Sequence, residues 1–278
     1  MLGFKIFDSD SQEKLKLLLD FVEKENLCIE IALYNEAEKT IAFKNFLLNS
    51  ETYQRLKNKS IHLDYKKYIG GYLDEASILK FKAELTIAQD LNIHNAVLHY
   101  QTPATYMNHL NQLEDINLEK NLTLIRKIAK EFDTIIHIEN TYLFQRKDKC
   151  NDLINHRKIW DTVIRLGFQD TIGICLDWGH VKAFANDDLE DWMDYVKYLR
   201  SNNMPIYMHV HDNDGKKDLH ETLHNGRERG FDKVAGNKPF LYMLNKYINQ
   251  FQKESLILEY NSDWAIEEYL KIKEELKL

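Results

Sequence analysis

Short apolar runs recur along the chain, each followed by a stretch in which apolar residues return every three or four positions. The runs are LGFKIF (2–7), LCIEIALY (27–34), SIHLDY (60–65), NAVLHY (95–100), TIIHIEN (134–140), TIGICLDW (171–178), PIYMHVHD (205–212) and LILEY (256–260). They are short and mostly rich in Ile, Val, Leu or aromatics, the signature of a buried strand. Near-continuous apolarity predicts strands covered on both faces, as in a parallel sheet. The intervening stretches predict helices. In SQEKLKLLLDFVEKEN, Ser11 stands as a cap and Leu15, Leu18, Leu19 and Val22 share one face. DEASILKFKAELTIAQDL opens on acids that suit a helix N-terminus. LEKNLTLIRKIAKEF, NHRKIWDTVIRLG, DLEDWMDYVKYLRS, KPFLYMLNKYINQF and DWAIEEYLKIKEEL follow the same rule, and residues 38–57 read as one more helix.

Eight strands alternating with eight helices over 278 residues, with no linker-like segment, predict an α/β fold: a single (β/α)8 TIM barrel spanning 1–278. The alternative is an open doubly wound sheet. Its usual glycine-rich first turn is missing, since the turn here reads FDSDSQ. Two connections are long, 101–116 and 212–236.

A barrel places its chemistry at the C-terminal ends of its strands. The third strand carries His62, the fourth ends in His99, and the fifth ends in Glu139-Asn140. The sixth ends in Asp177 with His180 close behind, the seventh carries His209, His211 and Asp212, and the eighth ends in Glu259. The loop after the seventh strand adds Asp218 and His220. The first two strands offer nothing of comparable promise, although Asp8 follows the first. Any one of these reads equally well as a packing histidine or a helix cap. Leaving His211 and Asp212 aside, five His and four carboxylates on one rim read differently, because uncompensated they repel or lose hydration. Divalent cations remove that penalty. Nine donors exceed the three protein ligands of a catalytic zinc and suit two or three ions bridged by a carboxylate.

Charge and composition narrow the classes. The formal balance is 37 − 44 = −7, which disfavours indiscriminate nucleic-acid coating without excluding a nuclease. Three bound divalent ions would contribute +6 and bring that −7 to about −1. Three scattered Cys make no disulfide framework, which suits a cytoplasmic protein. No apolar run reaches the roughly 18–20 residues needed to span a membrane. MLGFKIFDSD meets acids too early for a secretory leader.

Taken together, I-H-L-D-Y (His62), L-H-Y (His99), I-E-N-T (Glu139), L-D-W-G-H (Asp177, His180), H-V-H-D (His209), D-L-H-E-T-L-H-N-G (Asp218, His220) and L-E-Y (Glu259) resemble the xylose-isomerase-like barrel superfamily. That group holds sugar-phosphate isomerases and epimerases as well as the endonuclease IV family. The order of metal ligands is most similar to endonuclease IV, which holds three zinc ions. The resemblance implies that His62, His99 and Glu139 hold one ion. Glu139 would bridge to a second, held also by Asp177, His209 and Glu259. His180, Asp218 and His220 would hold a third. The departures lie elsewhere. The family's G-x-H-x-S opening is G-F-K-I-F here, H-P-G is H-Y-Q, L-G-x-G is L-H-N-G, and its basic, aromatic DNA loop is N-E-A-E-K-T.

Two activities are implied. The first is hydrolysis of a phosphoester, in a small phosphorylated substrate or abasic-site DNA, at a multinuclear zinc centre with Glu139 and Glu259 as catalytic carboxylates. The second is isomerisation or epimerisation of a sugar or sugar phosphate. There Glu139, Asp177, His209 and Glu259 would hold one manganese or magnesium ion, and Glu139 and Glu259 would move protons. A third reading is a barrel that binds a ligand without chemistry. His211, His224 and Arg227 flank the ligand motifs and are candidate substrate contacts.

Overall fold

The computed structural model describes residues 1–34, 37–64, 73–100, 115–140, 153–184, 189–215, 217, 219–229 and 255–276. Eight parallel strands close into a barrel in sequence order. They are β1 (Leu2–Phe7), β2 (Cys28–Ala32), β3 (Lys59–His62), β4 (Asn95–His99), β5 (Ile135–Glu139), β6 (Ile172–Asp177), β7 (Ile206–Val210) and β8 (Ser255–Leu258). β1 pairs with both β2 and β8, which seals the ring. The described helices are α1 (Gln12–Glu25), α2 (Ala37–Leu48), α3 (Glu51–Arg55), α4 (Glu75–Asp90), α5 (Asp115–Glu131), α6 (Leu153–Leu166), α7 (Trp178–Phe184), α8 (Leu189–Ser201), α9 (Leu223–Glu228) and α10 (Ala265–Leu276). The fold is the (β/α)8 TIM barrel that the alternation predicts. None of these helices is long and apolar enough to cross a membrane.

The register shows how the strands divide their faces. One face of each strand joins the main apolar cluster under the helices, as with Phe4 and Ile6, Ile29 and Ile31, and Ile136 and Ile138. The other face lines the lumen, where only a small apolar set (Cys28, Val97, Cys175, Tyr207, Ile257) packs together. The lumen is otherwise polar, with Lys5, Glu30, His62, His137, Glu139, Asp177 and His209 all buried. The strands therefore alternate with period two more strictly than their composition implies.

Helix ends follow local chemistry. Ser11 Oγ accepts from Lys14 N at 3.3 Å, and Asn26 closes α1 in the left-handed region at φ 52°. The single helix expected over 38–57 is two, because Ser50 leaves helical geometry and caps α3 by accepting from Tyr53 N at 3.2 Å. Tyr53 is then fully buried, and its hydroxyl donates to Leu91 O at 3.1 Å. α7 is a helix that the periodicity does not predict; Asp177 starts it by accepting from His180 N at 2.7 Å. The connection at 101–114 and the helix expected over 238–251 lie outside the described residues.

Candidate metal centre

Glu139, at the end of β5, is fully buried and stands at the hub of the C-terminal rim. Its Oε2 lies 3.2 Å from His62 Nε2 and 3.0 Å from His99 Nε2. Its Oε1 lies 3.3 Å from His180 Nδ1 and 3.4 Å from His209 Nδ1. Asp177 Oδ2 is 3.9 Å from both His180 Nδ1 and His209 Nδ1, and Glu259 Oε2 is 2.8 Å from His209 Nδ1. Donor atoms lying within 4.8 Å of one another gather into three principal groups: His62, His99 and Glu139; Glu139, Asp177, His209 and Glu259; and His180, His211 and His220. Cys175, inside β6, adjoins Glu139 and His209 in a further group.

The donors fit a divalent cation. Glu139 Oε1, Asp177 Oδ2, His209 Nδ1 and Glu259 Oε2 are buried and make no hydrogen bond. One such atom costs about 1–3 kcal/mol and more when charged, so four converging at one place call for a positive partner. Carboxylate and imidazole are ordinary ligands for zinc and its neighbours.

The imidazoles are oriented from behind. His62 Nδ1 bonds Leu63 O at 3.0 Å, His180 Nδ1 bonds Asn140 O at 2.9 Å, and His220 Nδ1 bonds Glu259 O at 3.0 Å. Each ring can thus donate its Nδ1–H to a backbone carbonyl, which leaves the lone pair on Nε2; for His62 that atom stands beside Glu139. His220 does so from a left-handed backbone at φ 47°, a conformation that costs about 1 kcal/mol outside glycine and gathers at functional sites. Asn140 fixes Asp177 from two sides, donating to its carbonyl at 2.9 Å and accepting from its N–H at 2.6 Å.

Two residues that the sequence reading passes over stand beneath the donors. Glu30 of β2 accepts from His209 Nε2 at 3.0 Å, and Lys5 of β1 lies 3.2 Å from Glu30 and also pairs with Glu259. The first two strands thus contribute to the site although their ends carry no residue of comparable promise. Both side chains sit in mid-strand, where a search of strand ends does not look. The available signal was a charge inside an otherwise apolar buried strand, which requires a partner.

Electrostatics favour the metal-ready form of the carboxylates. Burial pushes Glu139 upward, but His99, His209 and His180 outweigh it and hold the carboxyl well below its usual range. Burial likewise opposes ionisation of Glu259, and His209 and Lys5 more than reverse it. Glu30 is pushed up by burial and pulled by His209 and Lys5 to about 2. Burial lowers His209, yet Cys175, Glu259, Glu30 and Glu139 together raise it well above the usual histidine value. An ion held by that ring would displace a proton from it.

The structure brings His62, His99, Glu139, Asp177, His180, His209, His220 and Glu259 together, while Asp218 lies outside the described residues. His211, expected to touch substrate, stands among the donors. Its ring stacks on His220 with centroids 4.2 Å apart, and its Nε2 is 3.3 Å from Asp177 Oδ1. His224 and Arg227 are not in these groups. On α9 they meet α10, His224 bonding Glu268 at 2.9 Å and Glu275 at 3.2 Å, and Arg227 bonding Glu275 at 3.0 and 3.1 Å.

The fold has many counterparts among solved structures, at low identity. A D-tagatose 3-epimerase-like protein is 19% identical with a TM-score of 0.66, covering 99% of this chain and 97% of that one. A protein from Thermus thermophilus, in a crystal soaked with ZnCl2, is 16% identical with a TM-score of 0.67 over 99% and 97%. The IOLI protein with a bound zinc atom is 16% identical with a TM-score of 0.64 over 99% and 97%. No curated protein matches the chain. The family model for xylose isomerase-like TIM barrels matches residues 71–278, which takes in β4 to β8 and every donor except His62. The chain belongs to the xylose isomerase-like TIM barrel family.

Proposed function

We propose that this chain is a metal-dependent hydrolase of phosphoester bonds, working at a centre of two or three divalent ions with zinc as the first choice. The observation that carries this reading is the overlap of donor groups: Glu139 belongs both with His62 and His99 and with Asp177, His209 and Glu259, while His180, His211 and His220 form a separate group. One ion uses far fewer ligands. In this reading Glu139 would contribute to both of its groups. Asp218 adds to the group of His180 and His220, as the resemblance to endonuclease IV implies. Bound divalent ions supply Lewis acidity toward phosphoryl oxygens and a water made acidic near neutral pH. Glu259, ionised and held through one oxygen by Lys5, would orient a water and accept a proton from it. The substrate is a small phosphorylated compound or abasic-site DNA. The enzyme acts as one domain over 1–278, and its buried free thiols Cys28 and Cys175 suit the cytoplasm.

A second reading has its own support. Glu139, Asp177, His209 and Glu259 make a complete four-ligand set by themselves, and one similar structure is a D-tagatose 3-epimerase-like protein. A single manganese or magnesium ion there, with Glu139 and Glu259 as proton carriers, would make the chain a sugar or sugar-phosphate isomerase or epimerase. Elemental analysis of the purified protein separates the two. Two or three zinc ions per chain, with cleavage of abasic-site DNA or a phosphomonoester, support the hydrolase. One ion per chain with ketose epimerisation overturns it in favour of the second reading.

A further inference from the structure

We infer that Lys5 and Glu30 are positioning residues, a buried charge pair on the barrel floor that presents one nitrogen of His209 and one oxygen of Glu259 to a divalent cation. This rests on the metal-dependent reading above. The two residues are register partners on β1 and β2, and their side chains are 1% and 0% exposed. A pair buried so deeply gives little net stability, since desolvation cancels most of the attraction. Its use lies in what each member touches.

Glu30 Oε2 accepts a hydrogen bond from His209 Nε2–H at 3.0 Å. That leaves the lone pair of a neutral His209 on Nδ1, the atom 3.4 Å from Glu139 Oε1 and 3.9 Å from Asp177 Oδ2. Were the proton on Nδ1 instead, Glu259 Oε2, only 2.8 Å away, would accept it. The cation position would then be closed by a hydrogen bond. Lys5 acts on the other partner: by holding Glu259 Oε1 it leaves Oε2, the oxygen beside His209, without a hydrogen bond, so Glu259 would bind through that oxygen. The same ammonium, 3.2 Å from Glu30 Oε1, keeps Glu30 oriented for His209. Carboxylate–imidazole–metal chains of this kind set the tautomer and strengthen the ligand.

Glu30→Gln exposes the device. If the amide oxygen faces His209, its NH2 meets the Lys5 ammonium, donor against donor. If the amide turns to suit Lys5, it donates to His209 Nε2 and drives the ring proton onto Nδ1. The experiment is zinc titration of the full chain against a chromophoric chelator, for wild type, Glu30→Gln, Lys5→Met and the double variant. Glu30→Gln weakens binding about 10–100-fold. Its zinc-loaded form should also lack the downfield Nε2–H proton signal expected of wild-type His209 bonded to a carboxylate. The double variant removes both charges together, keeps the wild-type melting temperature, and still binds zinc more weakly, which separates positioning from a purely structural role. Zinc affinity unchanged in Glu30→Gln and in the double variant overturns the inference while leaving the metal reading intact. A wild-type chain that takes up no zinc overturns the metal reading itself.

Discussion

Gly179→Ala tests the arrangement of the third donor group without removing any donor. Gly179 lies in α7, one residue before His180. A Cβ built there falls within 2.5 Å of Cε1, Nε2 and Nδ1 of the His211 ring, where ordinary contact is 3.4–4 Å. The ring has little room to retreat. It is fully buried, it stacks on His220 with ring centroids 4.2 Å apart, and α7 is pinned by Asn213 Nδ2 donating to Gly179 O at 2.8 Å. His211 must therefore move by about an ångström and disturb His220 with it. Overpacking of this kind costs about 1–3 kcal/mol, and for a domain of this size each kcal/mol lowers Tm by roughly 2–4 °C. Metal-free protein should melt roughly 2–12 °C lower by calorimetry in the presence of chelator. Elemental analysis should show one ion fewer per chain, with the site of Glu139, Asp177, His209 and Glu259 still filled. Wild-type melting together with wild-type metal content would refute the stacked placement of His211 and its membership of the donor group.

Further outcomes follow from the same geometry. Glu259→Gln should retain the fold by circular dichroism and lose turnover; full activity in that variant would sink the assigned role. Asn140→Ala removes both side-chain bonds that hold the Asp177 backbone and should destabilise by about 1–3 kcal/mol in urea unfolding; no change in midpoint would show that α7 holds Asp177 unaided. His156 is buried between Trp160 and Trp192, and burial, with His180 adding to it, depresses its pKa to about 3. The folded ring stays neutral while the unfolded one takes up a proton below its ordinary value near 6.5. Stability is thus full above that value and falls as pH drops toward 3, by about 2 kcal/mol between pH 6.5 and 5. His156→Phe should flatten that slope, and parallel losses in both proteins would count against the assignment.

The barrel was legible because its signal is redundant. Each of the eight strands lies in a run that is apolar on the helix-facing side, and β5, with Ile136 and Ile138 outward and His137 and Glu139 inward, shows why an inward histidine does not spoil the pattern. The break at Asn49-Ser50 was not legible, since a serine inside an apolar helical pattern serves as an interior residue or a cap, and only its extended backbone and its bond from Tyr53 N decide between them. The donors at strand ends were legible for a positional reason. Chemistry that follows β3 to β8 must face the rim, so His62, His99, Glu139, Asp177, His209 and Glu259 could be collected without knowing their contacts. His224 and Arg227 are the counter-example. They follow the ligand motif closely in sequence, yet α9 turns them toward Glu268 and Glu275 of α10, and proximity along a loop carries no direction.

Lys5 and Glu30 show what a reading by strand ends leaves out. The lumen is filled in layers, and a residue two positions before a rim donor occupies the layer beneath it. Glu30 pairs in register with Lys5 on one side and Ser60 on the other, one layer below Ala32 and His62. From there its carboxylate reaches His209 of β7 across the lumen, a contact between residues 179 positions apart that no local pattern encodes. The charges explain why both members are needed. Glu30 alone would add a fourth buried carboxylate beneath Glu139, Asp177 and Glu259, and Lys5 alone would place an ammonium where a cation is wanted. Together they cancel, so that the negative charge offered to divalent ions by the described donors remains that of the three rim carboxylates. The floor of the barrel can thus direct a tautomer and a carboxylate without changing the charge of the site above it.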